Sequence, residues 1–160
     1  DGDDWIEHLL IAGASLSEKQ VNVNAAAIAA NGPARAKLPI ACRSWLEVSP
    51  VKSLPGALFV WRVFVRKEQG ARFVDAPLDT LQEISMQRLH PRQSTEEWSD
   101  PSNERVYYVT GGSGELSVGF AREPMREGDA IHLPAGTEHC VSNPHDDWLE
   151  YLTVVGSSPK

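Results

Sequence analysis

The residues able to do chemistry gather in the second half of the chain, where carboxylates, histidines and phenols fall on short runs of β-branched and aromatic residues. Glu104, Val106 and Tyr108 stand two apart on one such run, and side chains two apart on a strand share a face. If Glu104 faces a pocket, Tyr108 faces it too, setting a phenol that donates hydrogen bonds beside a carboxylate that takes protons. These two are the candidate catalytic residues. Arg88 and His90 share a face of the preceding run and, turned inward, would favour an anionic or carbonyl-bearing ligand. Trp98, in the acidic stretch Glu96-Glu97-Trp98-Ser99-Asp100, can stack on a flat molecule and joins Arg88 and His90 in the expected substrate pocket. That stretch reads as a solvated loop or as a lid. Cys140 follows His139, points the other way by alternation and reads as packing.

The elements that must position these groups are mostly strands. Candidates are Ser44–Val48, Ala57–Arg66, Gln82–His90, Arg105–Thr110, Glu115–Phe120, Ala130–Leu133, His139–Ser142 and Trp148–Val155. Gly111-Gly112-Ser113-Gly114 reads as a tight turn, and Glu127-Gly128-Asp129 and Pro134-Ala135-Gly136 as two further corners. Short strands at this rhythm predict a closed or sandwiched all-β fold. Before them, Ile6, Leu9 and Leu10 have the spacing of a short helix, and the breaker Asn31-Gly32-Pro33 ends that region. The expected organisation is an N-terminal extension over 1–40 and a barrel domain over 41–156.

Composition narrows the function classes. A chain of 160 residues with 41% hydrophobic and 23% charged residues is that of a water-soluble folded protein. Its net charge of -7, with no basic block, disfavours nucleic acid as a partner. No apolar run approaches the roughly 18 to 20 residues that span a bilayer. Cys42 and Cys140 lack the spacing of a zinc or disulfide framework and read as free thiols. The expected compartment is the cytoplasm, with secretion left open because the chain begins at Asp1.

The segment from Gly128 to Asn143, GDAIHLPAGTEHCVSN, matches G-x5-P-x-G-x2-H-x3-N at every fixed position. It resembles the second signature of the cupin superfamily. Of the first signature, G-x5-H-x-H-x3-4-E-x6-G, Glu104 and Gly111 are present and the two histidines are absent. The resemblance covers about 81–155 and implies a cupin-type double-stranded β-helix, a jelly-roll barrel with a pocket at its mouth. It further implies that Glu104 and His139 belong to a metal-ligand set. With Asp100 replacing a missing histidine, the candidate set is Asp100, Glu104 and His139, for one divalent iron, manganese, nickel or zinc. A metal-free barrel, with Glu104 and His139 as a hydrogen-bonded pair, is the alternative.

Two functions follow as expectations. One is an enzyme acting on a small organic molecule, of dioxygenase, isomerase, lyase or cyclase type; the other is a metal-free module that binds or senses such a ligand. The resemblance to cupins, which commonly pair through exposed strands, implies a homodimer, and the long apolar run Leu58–Val65 agrees with it.

Overall fold

The computed structural model describes residues 41–52, 57–67 and 76–158. The expected N-terminal helix and the 1–40 extension lie outside them. Ten strands are described: β1 (Val51–Lys52), β2 (Leu58–Val65), β3 (Leu81–Leu89), β4 (Gln93–Ser94), β5 (Asn103–Gly111), β6 (Ser113–Val118), β7 (Ala121–Arg126), β8 (Ala130–Leu133), β9 (Cys140–Asn143) and β10 (Leu149–Ser157). They form a six-stranded sheet in the order β1-β2-β3-β10-β5-β8 and a four-stranded sheet in the order β4-β9-β6-β7, with antiparallel pairing throughout both. This is the all-β fold expected from the strand rhythm, in the jelly-roll form that the resemblance implies. No described helix is long and apolar enough to cross a membrane.

Between the sheets Leu89, Val109, Leu116, Met125, Leu149 and Tyr151 are almost completely buried. At roughly 2 kcal/mol per fully buried large apolar side chain, this layer is the main favourable term holding the two sheets together. Burial along β10 alternates strictly, with Leu149, Tyr151, Thr153 and Val155 turned inward. Because β10 pairs with both β3 and β5, its facing fixes theirs.

Two expectations change. Ser44–Val48 is not a strand: Trp45–Glu47 is a 3-10 turn, capped where the Ser44 hydroxyl accepts from the Leu46 N–H at 3.3 Å. The short capping side chain offers the backbone a local bond that competes with a ladder. Conversely, the two-residue strands β1 and β4 fall outside the expected strands, and so does β7, whose pattern Pro124 and several charges interrupt. It lies at the edge of the four-stranded sheet, where a missing N–H costs little, and Met125 supplies its one buried anchor.

The segment 128–143 is built as its spacing suggests. Gly136 has φ of 77°, a left-handed value that glycine adopts at no steric cost, and the chain turns there toward His139. Asn143 is buried and closes the segment: its amide donates to the carbonyls of Asp147 (2.7 Å), Leu89 (3.3 Å) and His90 (3.4 Å), while its Oδ1 accepts from the His145 N–H.

Candidate functional site

A cavity of about 300 Å³ opens between the sheets. Leu58 and Val60 on β2, Val141 on β9 and Tyr151 on β10 give it an apolar wall; Gln87 on β3, Arg105 and Tyr107 on β5 and His139 give it polar atoms. Trp98 completes one side. It is held there because the segment 95–98 runs as a ladder beside 139–141: Trp98 and His139 exchange backbone hydrogen bonds of 2.9 and 3.0 Å, and Thr95 donates to the Val141 carbonyl at 2.8 Å.

At the buried end of the cavity the Tyr107 hydroxyl lies 2.8 Å from His139 Nε2. The other ring nitrogen, Nδ1, lies 2.9 Å from the Thr137 carbonyl oxygen, which can only accept, so Nδ1 carries the proton. Neutral Nε2 then accepts from the Tyr107 O–H. Burial pushes the Tyr107 phenol up to about 12, against the pull of the Arg105 cation. Burial also holds His139 below its ordinary value, aided by Arg105 and opposed by the Thr137 bond. Both shifts favour one state at neutral pH, a protonated phenol and an uncharged imidazole.

The His139 shift has a consequence for stability. A base whose folded-state pKa is depressed binds fewer protons folded than unfolded once pH falls below its ordinary 6.5, so its contribution is complete above 6.5 and is lost as pH falls below it. Urea midpoints are expected to fall between pH 7 and pH 5, and to fall less in His139→Gln. An equal decline in both proteins would show that another group carries the effect.

Arg105 sits between Trp98 and Asp100. Its guanidinium lies 4.0 Å from the centre of the Trp98 ring and 3.3 Å from Asp100 Oδ2, and its Nε is buried without a hydrogen-bond partner. Asp100 also accepts from the Asn103 amide (2.9 Å) and the Ser102 N–H (3.1 Å). Burial opposes ionisation of Asp100, but these bonds and the Arg105 cation outweigh it and hold the carboxyl below its usual range. Beside Tyr107, Thr153 and Ser85 occupy the same cross-strand row, and their hydroxyls are fully buried with no partner.

The family model described as Cupin domain matches residues 85–155. These residues are a cupin domain. No curated protein sequence matches the chain. Among solved structures, a predicted oxalate decarboxylase from Thermotoga maritima is 16% identical with a TM-score of 0.59, covering 73% of this chain and 99% of its own. The polyketide cyclase RemF from Streptomyces resistomycificus is 18% identical with a TM-score of 0.59, covering 76% and 83%. A sugar phosphate isomerase of the cupin superfamily from Silicibacter pomeroyi is 18% identical with a TM-score of 0.58, covering 76% and 77%. At these identities the likeness shows the fold.

Within the cupin frame, the structure separates the residues expected to act together. His139 and Trp98 line the cavity. Glu104 does not: it is on the outer face of the six-stranded sheet, where its carboxylate lies 2.9 Å from His132 Nε2 and both side chains are about half exposed. Tyr108 shares that outer face, because the buried residues of β5 are Tyr107 and Val109. Arg88 also points outward, paired with Glu150 at 2.8 Å and packed against the Trp148 ring. His90 is exposed and contacts the same ring. The inward facing expected for Glu104, Tyr108, Arg88 and His90 is thus reversed by strand parity.

These donors do not fit the metal that the cupin fold implies. Both ring nitrogens of His139 are engaged, Glu104 is on the other side of the sheet, and Asp100 is neutralised by Arg105. Among the described residues no group of three or more histidines, cysteines or carboxylates could hold a metal ion. The set Asp100, Glu104 and His139 does not converge on one point. The residues that sequence reasoning missed are Arg105, Tyr107 and Gln87. A signal for the last was present: in β3 the polar residues Glu83, Ser85 and Gln87 alternate with Ile84 and Met86, a regular polar face that a pocket, as well as water, can claim.

Proposed function

We propose that the barrel is a site for a small organic molecule and that the Tyr107–His139 pair exchanges protons with an oxygen-bearing group of that molecule. The observation that carries this reading is the 2.8 Å Tyr107–His139 contact with its tautomer set by Thr137. A phenol held protonated and an imidazole held neutral are an acid and a base in adjoining positions. When a ligand carbonyl takes the Tyr107 hydrogen bond, His139 Nε2 is left free to accept a proton from the same ligand, which is the pairing an enolisation or isomerisation requires. The polar side of the lining, from Gln87, Arg105, Tyr107 and His139, supports an occupant with polar groups of its own.

A second reading, a binding or sensing module without turnover, is favoured by the same lock, because a tightly held hydrogen bond also makes a fixed recognition edge. The two are separated by one experiment on chelator-treated protein. A panel of small carbonyl compounds is screened by thermal shift, and each binder is followed by NMR in heavy water. Binders are expected to stabilise by about 2.7 kcal/mol at a hundredfold excess over Kd. Exchange of the ligand's α-hydrogens for deuterium in wild type, reduced by about 100-fold in Tyr107→Phe, supports the enzyme. Stabilisation without exchange supports the module. Binding that requires added metal would overturn both.

A further inference from the structure

The charges around the cavity restrict what it can hold. Arg105 is paired with Asp100, and at the mouth Arg62 is paired with Glu83 at 3.1 Å. The remaining charged residue of the lining, Glu96, is exposed and has no ion-pair partner among the described residues. An anion entering here meets two cations already neutralised and one unneutralised carboxylate. It would lose its hydration for little Coulombic return. An isolated cation would find the Trp98 ring already engaged by the Arg105 guanidinium, 4.0 Å from its centre, and the rest of the wall largely aliphatic, with Leu58, Val60 and Val141.

Gln87 offers the opposite kind of contact. It is 93% buried, given its 7% exposure, it lines the cavity, and among the described residues its side-chain amide has no hydrogen-bond partner. A buried primary amide carries an acceptor and two donors that need partners. The group that satisfies both ends at once is another amide-like edge, a carbonyl beside an N–H or O–H. Trp98, 44% exposed with the Arg105 cation over its ring, presents an aromatic surface on the same cavity.

We infer that the cavity takes an uncharged, flat ring compound carrying a hydrogen-bond acceptor and donor side by side on one edge, read by Gln87 and stacked on Trp98. This rests on the reading of the cavity as a small-molecule site and adds the ligand's class to it. Selectivity comes from Gln87 because a site built to pair a polar edge leaves its own groups unpaired when that edge is missing.

The test uses two probes of the same shape, 2-naphthamide and 2-naphthoate, titrated calorimetrically into the full chain at pH 7. The amide is expected to bind at least tenfold tighter than the carboxylate. Gln87→Leu is expected to weaken the amide by about tenfold and leave the carboxylate unchanged, while Trp98→Ala weakens both, with thermal melts confirming that each variant is folded. Equal or tighter binding of 2-naphthoate, or amide affinity unaffected by Gln87→Leu, overturns the class and leaves the small-molecule reading in place. Absence of binding by either probe up to millimolar concentration overturns both.

Discussion

Asn143→Ala is expected to lower the unfolding free energy by about 4 kcal/mol and the melting temperature by about 15 °C. The asparagine is 1% exposed, and one side chain ties three pieces of chain together: the end of β3 through Leu89 and His90, the turn through Asp147, and the His145 N–H through Oδ1. Alanine leaves those backbone groups without their partner in a place where water does not readily replace it, and each such group costs about 1–3 kcal/mol. Asn143→Asp separates shape from chemistry. It keeps the acceptor for His145 but turns an oxygen toward three carbonyls, so it is expected to be at least as damaging as alanine. A loss under about 1 kcal/mol in urea unfolding of Asn143→Ala would mean that the turn is held by other contacts.

The same residue shows what was legible in the sequence. In the run from Gly128 to Asn143 the two glycines and the asparagine do backbone work: a left-handed φ at Gly128 and Gly136, and carbonyl capture at Asn143. Such requirements belong to residue types, so spacing alone reveals them, and with them the corners of the barrel. Facing is different. On β5 the sets Glu104, Val106, Tyr108 and Arg105, Tyr107, Val109 each contain one charge, one valine and one tyrosine. Period-two alternation cannot rank two faces of equal composition, and a shift of one residue exchanges them. The decision is made by β10, whose inward Tyr151 and Thr153 pair with Val109 and Tyr107 and draw them into the core. On β3 polarity misleads more directly, since the side facing the cavity is the more polar one. Cavity-facing strands break the rule that polar means outside, which is why Gln87 escaped notice and Arg88 was turned the wrong way.

Arg105→Met tests the identity of the group that organises this cavity, and it is expected to destabilise the protein by about 3 kcal/mol. The argument turns on Asp100. With side-chain exposures of 17% for Arg105 and 18% for Asp100, removing the cation leaves a largely desolvated carboxylate with only the Asn103 amide and the Ser102 N–H. It also removes the cation packed over Trp98. Asp100→Asn alone keeps an oxygen for Ser102 and costs less, about 1–2 kcal/mol, chiefly by leaving Arg105 unpaired. In the double variant no buried charge lacks its partner, so it is expected to be more stable than the two single losses added together, with a coupling of about 2 kcal/mol. Were Asp100 instead a metal ligand with His139, the pattern would invert: Asp100→Asn would abolish metal retention in elemental analysis, and Arg105→Met, by removing a neighbouring positive charge, would strengthen it. Additive stability losses together with metal retention that depends on Asp100 would therefore return the carboxylate to a coordination role. A strong coupling would instead fix it as the counter-ion that holds Arg105 against Trp98 and Tyr107.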